Sequence, residues 1–306
     1  MNFATFFGTI ALLLGLHQPA VIPSVPMRIV WRTLGGYETL QPVPSVTPYP
    51  RRRENSTLGP VLTAHAAMSV DTETQTTLYE KNADEVRALA SITKLATVMV
   101  ALDHITDLDA LVTIEQQDFM QLGYNNFAVG EQLRARDLLA AVLIASDNTA
   151  AAVLARNAVP EQNIFVDEMN KKAASLGLSK TRFADPTGLA AENVSTAREA
   201  AILAREAFRI ALIRDLTPRR SLVVTTEAGR TLTLKTTDQL IGGSVRVLAG
   251  KTGFVTDSGY NFVAEVSNGK HPLTVVILGS ETNPDRFQDL KMLSVWTWDT
   301  TTWQEN

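Results

Sequence analysis

The pattern of hydrophobic and polar positions predicts strands towards both ends of the folded part of the chain. Before residue 80, two apolar runs are separated by the polar turn 71–74. Beyond residue 220, apolar runs alternate with short polar connections, and Asn268-Gly269 is a strong hairpin signal, so the pairing is antiparallel. The predicted strands cover residues 62–70, 76–79, 222–226, 231–235, 245–254, 260–266 and 273–278.

Helical periodicity dominates the middle of the chain. Leu95, Val98, Met99 and Leu102 recur at three- and four-residue spacing, which predicts a helix with one buried face. From residue 102 to 157 the pattern is mostly helical. Gly177 is placed to end a helix, and Ser195 to begin one as its N-cap. The further helices are predicted over residues 137–145, 149–157, 165–176 and 195–210, and from Pro284 onwards.

Strands at both ends with helices between them predict an α+β protein, or α/β in the wide sense. We expect one antiparallel sheet flanked by helices and carrying an inserted all-helical subdomain over roughly residues 103–210. The chain of 306 residues is 45% hydrophobic, enough for a full core, and we place the folded domain at residues 61–300.

The N-terminal region has a different composition. Residues 3–16 are uncharged and mostly apolar, shorter than the roughly 20 residues of a spanning helix and closer to a signal-peptide core. No Lys or Arg precedes them, and no convincing cleavage site follows. Eight of the thirteen prolines fall before residue 61, and residues 1–60 hold five Arg and two Glu. We therefore predict a signal peptide or membrane anchor over residues 1–22 and a basic Pro-rich linker over 23–60, with membrane contact through this segment left open.

Composition excludes several classes of function. The chain has no cysteine, which rules out a disulfide framework and thiolate metal sites. Its four histidines form no metal-binding motif, and a net charge of −4 gives no basic footprint for nucleic acid. We expect no metal, no cofactor and no nucleic-acid partner.

Ser91 and Lys94 are the first candidates for chemistry. They lie three residues apart near a predicted helix start, which brings an amine within reach of a hydroxyl on one face. A serine with a neighbouring base is an activated nucleophile. The S-x-x-K pattern alone proves little, however, because Ser267 and Lys270 match it in a predicted hairpin turn.

Two further motifs follow in order. Ser146-Asp147-Asn148 begins 55 residues beyond Ser91, and Lys251-Thr252-Gly253 begins 105 residues beyond Ser146. Each occurs once, and this ordered set is typical of penicillin-binding proteins and class A β-lactamases. Over about residues 61–298 the chain resembles the D-alanyl-D-alanine carboxypeptidases, low-molecular-weight penicillin-binding serine peptidases of the β-lactamase/DD-peptidase superfamily. The resemblance also includes residues 78–82, 185–189, 195–197 and 259–263.

The resemblance implies an exported, extracytoplasmic serine peptidase. It would remove the terminal D-alanine of peptidoglycan stem peptides through an acyl-enzyme on Ser91, and β-lactams would be covalent inhibitors. It implies that Lys94 is the base and that Ser146 passes a proton to the leaving amine. The oxyanion hole would be formed by the backbone N–H groups of Ser91 and Phe254. The residues implied to bind substrate are Asn148, Lys251, Thr252, Gly253, Phe254 and Arg286.

The chemistry sets a condition on Lys94. A free lysine titrates near ~10.4, so a base working near neutral pH needs its pKa lowered by roughly three units, about 4 kcal/mol. Partial burial and a second cation, for which Lys251 is the candidate, would supply this lowering. Lys251 has a competing role, which is to hold the substrate and Ser146. For Arg286 the alternative to carboxylate recognition is a surface arginine on a helix.

Two departures bear on the kind of enzyme. Asp147 stands where these carboxypeptidases usually carry glycine, as in the β-lactamase form. A class A β-lactamase also needs a loop glutamate to activate water. The corresponding loop, 179–189, contains no glutamate, and its only carboxylate is Asp185. We therefore expect a peptidase that β-lactams trap. A D,D-endopeptidase, a class A-like β-lactamase and a non-catalytic wall-binding module are the alternatives.

Overall fold

The computed structural model describes residues 50–53, 59–119 and 125–303. These residues fall within one compact unit, which spans Thr47–Asn306. The predicted signal or anchor segment, 1–22, lies outside the described residues. The strands are β1 (Arg51–Arg52), β2 (Ala66–Asp71), β3 (Thr77–Lys81), β4 (Arg87–Ala88), β5 (Leu111–Thr113), β6 (Gln132–Arg134), β7 (Val194–Ser195), β8 (Ser221–Thr225), β9 (Thr231–Lys235), β10 (Arg246–Val255), β11 (Gly259–Ser267), β12 (Pro272–Ser280) and β13 (Thr301–Thr302). The α-helices are α1 (Lys94–His104), α2 (Ala135–Ile144), α3 (Asn148–Ala158), α4 (Gln162–Ser175), α5 (Ala197–Phe208), α6 (Ala211–Leu216) and α7 (Asn283–Thr300).

A five-stranded antiparallel sheet forms the centre of the fold, with the order β10-β11-β12-β2-β3. Side chains of β11 alternate between two hydrophobic clusters. Val263 joins the cluster that contains α5, whereas Phe262 and Ala264 join the cluster that contains Leu290 of α7. Both faces of the sheet are therefore covered, and each fully buried large apolar side chain contributes roughly 1.5–3 kcal/mol. The expected α+β architecture, a helix-flanked antiparallel sheet, is confirmed.

Helices α1 to α4 pack against one another. The first eight residues of α1, from Lys94 to Ala101, are all buried, so this helix is enclosed on every side rather than amphipathic. Helix α5, within the predicted subdomain range 103–210, packs against the central sheet. Gly177 ends α4 as predicted, with a φ of +76° and the Leu178 N–H donating to the Ala173 carbonyl at 3.0 Å.

Two local expectations are wrong. The described residues of 105–134 are not mostly helical, because they hold the short pair β5 and β6 and a 3₁₀ turn at Gln116–Asp118. The N-cap of α5 is Thr196, whose Oγ1 accepts the Glu199 N–H at 3.1 Å, while Ser195 pairs in β7. Neighbouring hydroxyl residues have the same capping chemistry, so only the backbone geometry chooses between them.

The end of the predicted linker is in contact with the domain. Strand β1 pairs with β13, and the Arg53 N–H donates to the Thr300 carbonyl at 2.8 Å. The guanidinium of Arg52 lies over the Trp296 ring, 4.7 Å from its centroid. Residues 51–53 therefore contact the C-terminal end of α7, although these three residues are exposed.

Within the described residues, no helix is long and apolar enough to span a bilayer.

Candidate active site

Ser91 lies in a 3₁₀ turn, Ala90–Thr93, that leads directly into α1. Ala90 has a left-handed φ of +50°, a conformation that costs an L-residue roughly 1–2 kcal/mol and that turns the chain sharply before the serine. Lys94 is the first residue of α1, and its ammonium Nζ lies 2.9 Å from the Ser91 hydroxyl oxygen. The predicted approach of amine to hydroxyl is therefore present, across a 3₁₀-to-α junction.

Lys94 is completely buried, and three groups hold its amine in place. Besides Ser91, Nζ contacts the Asn148 side-chain oxygen at 2.6 Å and the Thr187 carbonyl at 2.5 Å. Burial lowers the pKa of Lys94 to about 7, and the carboxylates of Asp185 and Asp147 act in the opposite direction. A neutral amine is thus available close to physiological pH, which is the condition for a base.

Ser146 and Lys251 form a second hydroxyl–amine pair. Ser146 follows α2 with a left-handed φ of +57°, and its hydroxyl oxygen lies 2.7 Å from the Lys251 Nζ. Burial lowers the pKa of Lys251 well below its ordinary value, and the charges of Lys94 and Arg286 lower it further. We expected partial burial and the charge of Lys251 to lower the Lys94 pKa together; burial lowers it, and Lys251 is not among the groups that act on it.

Gly253 brings strand β10 against the nucleophile turn. A Cβ atom at this position would lie 2.7 Å from the Leu89 carbonyl oxygen and 3.2 Å from the Ser91 nitrogen. Its missing side chain makes room for the turn that carries Ser91, and the residue also lines the cleft. The next residue, Phe254, has an exposed ring that stacks on Tyr260 with centroids 4.3 Å apart.

Arg286 lies in the first turn of α7 and is buried. The alternative interpretation, a surface arginine on a helix, is therefore wrong. Its Nη1 donates to the Gly253 carbonyl at 3.0 Å. The guanidinium carbon lies 4.8 Å from the ring centroid of Phe287 and 5.5 Å from that of Tyr260. The arginine is therefore fixed at one end of the same strand segment that carries the K-T-G motif.

Asp147 fastens the helical side of the site. One carboxylate oxygen accepts the Ala150 N–H and caps α3, and the other accepts the backbone and side-chain N–H groups of Asn126 at 2.6 and 2.9 Å. Burial raises the pKa of Asp147, while these hydrogen bonds lower it. Asp147, the middle residue of the S-D-N motif, thus has a structural role: it joins the N-terminus of α3 to Asn126 at the edge of the site.

The carboxylate of Asp185 is occupied by its own loop. Its oxygens accept N–H groups from Thr187, Gly188 and Ala190, and the side chain of Asn193, at 2.5 to 2.8 Å. Burial alone would raise the pKa of Asp185, but the hydrogen bonds outweigh it and hold the pKa below the ordinary value. The Thr187 carbonyl of this loop is the one that contacts Lys94.

These elements enclose a cleft of about 640 Å³. Lys94 and Lys251 lie behind its wall and reach it through Ser91 and Ser146. The predicted residues that line it are Ser91, Ser146, Asn148, Thr252, Gly253, Phe254 and Arg286. The structure thus brings the whole predicted set to one site.

The sequence did not single out several other residues of the cleft. Asn126, Thr237, Gln239 and Tyr260 line it. Thr237 could have been found only through its contact with Thr252, a 2.6 Å hydroxyl pair across 15 residues. The Thr187 carbonyl carries no sequence signal, because a backbone atom is common to every residue. Among the described residues, no cluster of His, Cys, Asp or Glu has the arrangement of a metal site.

Comparison with known proteins agrees with this geometry. The profile of the D-alanyl-D-alanine carboxypeptidase family, peptidase S11, matches residues 53–282. A D-alanyl-D-alanine endopeptidase of Pseudomonas aeruginosa is 34% identical over 77% of this chain and 77% of its own length. The D-alanyl-D-alanine carboxypeptidase DacF of Bacillus subtilis is 32% identical over 75% of this chain and 61% of its own.

A solved structure shares the fold. Penicillin-binding protein D2 from Listeria monocytogenes, in its cefotaxime-bound form, has a TM-score of 0.71 and 28% identity, covering 79% of this chain and all of that one. The fold and the paired hydroxyl–amine groups define the class of serine DD-peptidases. The chain belongs to the D-alanyl-D-alanine carboxypeptidase family and is a serine-type peptidase, a hydrolase.

Proposed function

We propose that this protein removes the terminal D-alanine of peptidoglycan stem peptides through an acyl-enzyme on Ser91. The observation that carries the proposal is the buried Lys94 amine, whose pKa is about 7 and whose Nζ lies 2.9 Å from the Ser91 hydroxyl. A neutral amine at this distance takes the hydroxyl proton as the oxygen attacks the carbonyl of the penultimate D-alanine.

The negative charge of the tetrahedral intermediate then requires donors. The backbone N–H groups of Ser91 and Phe254 are our candidates, and Gly253 supports this assignment because it holds their two segments in contact. One such donor is worth about 2.7–4 kcal/mol of transition-state stabilisation. Ser146, whose hydroxyl oxygen lies 2.7 Å from the Lys251 Nζ, would relay to the leaving amine the proton that Lys94 took from Ser91, after which water hydrolyses the ester.

Substrate recognition is assigned to both walls of the cleft. Asn148, held by Lys94 through its side-chain oxygen, would donate its amide N–H to a substrate carbonyl. The β10 segment of Thr252 and Gly253 would pair with the substrate backbone. Arg286 would bind the carboxylate of the leaving residue, since a guanidinium matches that group in charge and shape.

A second candidate is D,D-endopeptidase activity on cross-linked peptides. It is favoured by two relatives, from Pseudomonas aeruginosa and Escherichia coli, which are named endopeptidases and are 34% and 33% identical to this chain. The same acylation machinery serves both reactions. Parallel assays of D-alanine release from a pentapeptide and of cleavage of a cross-linked dimer separate the two activities.

The site of action and the inhibitors follow from the same proposal. Peptidoglycan lies outside the cytoplasm, so the enzyme would be exported by its N-terminal segment, as a cleaved signal or a retained anchor. β-Lactams would acylate Ser91, because they present a reactive amide in place of the D-alanyl-D-alanine bond. The cefotaxime-bound Listeria structure supports a β-lactam fitting this fold.

The test is the Ser91→Ala variant with a matched control. We expect it to lose both labelling by a fluorescent penicillin and release of D-alanine, with an unchanged circular dichroism spectrum. Ser267→Ala, which removes the serine of the second S-x-x-K sequence in a hairpin turn, should keep both. Mass spectrometry of the penicillin adduct should place it on Ser91. An adduct on another residue, or labelling that survives in Ser91→Ala, would contradict the assignment.

A further inference from the structure

One buried carboxylate near the cleft takes no part in the mechanism above. The segment from Thr236 to Gln239 runs along the cleft wall, where Thr237 and Gln239 line the cavity. Asp238, between them, is only 7% exposed. The segment is anchored to the K-T-G strand by the 2.6 Å contact between the hydroxyls of Thr237 and Thr252. Asp238 therefore has a fixed position just behind the substrate-facing surface.

The carboxylate of Asp238 is incompletely satisfied. Its Oδ1 accepts the Leu240 N–H at 2.8 Å, whereas its buried Oδ2 has no hydrogen-bond partner among the described residues. An ionised carboxylate offers several acceptor positions, so leaving one oxygen buried without a donor favours the neutral acid. Burial accordingly raises the pKa of Asp238 to about 6, against the Leu240 N–H and the charge of Arg286.

The positive charge that acts on Asp238 is the one assigned to the substrate. Arg286 is buried, and its Nη1 donates to the Gly253 carbonyl. Its charge acts both on Asp238 and on Lys251 of β10. The interaction with Asp238 is electrostatic and does not include a direct hydrogen bond. Ionisation of Asp238 therefore changes the electrostatic potential around Arg286 without occupying the N–H donors of the guanidinium.

We propose that Asp238 is a specificity-determining residue that sets how strongly Arg286 recognises the carboxylate of the leaving residue. This inference rests on the role proposed above for Arg286. When Asp238 is neutral, the full charge of Arg286 faces the substrate. When Asp238 is ionised, it offsets part of that charge and repels the substrate carboxylate. The enzyme then favours a free carboxylate below pH 6 and discriminates less against neutral leaving groups above it.

Other charged groups on neighbouring segments differ in their solvation. Lys235 at the end of β9 and Arg220, whose carbonyl accepts the Thr236 N–H at 3.0 Å, both have exposed side chains. Water screens exposed charges far more than buried ones. Arg286 is therefore the charged group that acts on Asp238.

The experiment compares a peptide ending in free D-alanine with its C-terminal amide between pH 5 and 8. The readout is the ratio of their kcat/KM values, in which the ionisation of Lys94 cancels because both substrates need the same base. The substrate carboxylate, with a pKa of about 3.5, stays ionised throughout. In the wild type we expect the acid-to-amide ratio to fall roughly three- to tenfold with a midpoint near pH 6, a change of about 0.7–1.4 kcal/mol.

The Asp238→Asn variant keeps an oxygen for the Leu240 N–H and removes the charge. We expect its ratio to be independent of pH and, at pH 8, to equal the wild-type ratio at pH 5. Asp257→Asn, which removes an equal charge from the exposed turn after β10, should behave as the wild type. A thioester without a carboxylate acylates Ser91 independently of Arg286. The fraction of protein that it acylates gives the concentration of active sites and shows whether each variant is folded.

Four results would overturn the inference, two of them through Asp238 alone and two through Arg286. If the ratio depends on pH in the same way in the wild type and in Asp238→Asn, the role of Asp238 is refuted and that of Arg286 is not. A wild-type ratio that is high but constant over this pH range also refutes the role of Asp238 alone. A wild type without acid preference, or a preference that survives in Arg286→Ala, refutes the role of Arg286 and with it that of Asp238.

Discussion

The missing side chain of Gly253 faces the carbonyl oxygen of Leu89, which a Cβ atom would approach to 2.7 Å. Strand β10 and the turn before Ser91 thus pack backbone against backbone. This contact sets the separation between the nucleophile and the strand that we assign to substrate binding.

The first prediction follows from this contact. Gly253→Ala should lower the free energy of unfolding by about 1–3 kcal/mol, because backbone atoms must move to admit the methyl group. Acylation by a labelled penicillin should slow by more than tenfold, since the displaced strand carries Phe254. Gly250→Ala on the same strand is the control. Its Cβ would lie 3.2 Å from the Phe262 ring and 3.4 Å from the nearest backbone atom, the Val263 carbonyl oxygen, so an equal loss of acylation there would contradict the argument.

The second prediction concerns the pH dependence of acylation. Lys94 has a pKa of about 7, so its amine is protonated and inactive as a base below that pH and neutral above it. The rate of acylation by a neutral thioester should rise about tenfold per pH unit up to pH 6 and level off above pH 8. Lys94→Arg should lose at least about a hundredfold in rate, because arginine stays protonated. A midpoint near pH 10 in the wild type would mean that Lys94 is not the base.

The third prediction concerns the lifetime of the penicilloyl-enzyme. Both carboxylate oxygens of Asp185 accept hydrogen bonds from its own loop, and residues 179–189 hold no glutamate. No loop carboxylate is therefore placed to activate water against the ester. Labelled penicillin should remain on the protein for many catalytic turnovers of the peptide substrate. Rapid hydrolysis of benzylpenicillin, measured by its absorbance, would favour a β-lactamase.

The fourth prediction concerns the linker. A chain that begins at Val61 should keep its activity, because the described cleft contains no residue before Ser91. It should lose about 1–3 kcal/mol of stability relative to one that begins at Pro50, since the β1–β13 hydrogen bonds and the Arg52–Trp296 contact are absent. Thermal unfolding measures the difference. Arg52→Ala in the longer chain should reproduce part of it, and equal melting temperatures would show that β1 contributes nothing.

Much of the fold could be predicted because its signals are local. The hairpins of β8 with β9 and of β10 to β12 follow from period-two alternation and turn residues, and the structure confirms them. The failure between residues 105 and 134 has the same origin. Strands β5 and β6 have three residues each, too few for a period to be recognised. Their pairing depends on contacts across about 20 residues.

The sequence by itself determined the chemistry: which hydroxyls, amines and guanidinium are present, and the order of motifs that marks them as one set. Residue type and spacing are properties of the chain, so they need no fold to be read. Only the tertiary structure decided what those groups become. The Lys94 pKa depends on complete burial, the Thr187 carbonyl reaches Lys94 across 93 residues, and Asp238 acquires its raised pKa from burial. Desolvation and long-range backbone contacts are set by residues distant in the chain, and no local pattern encodes them.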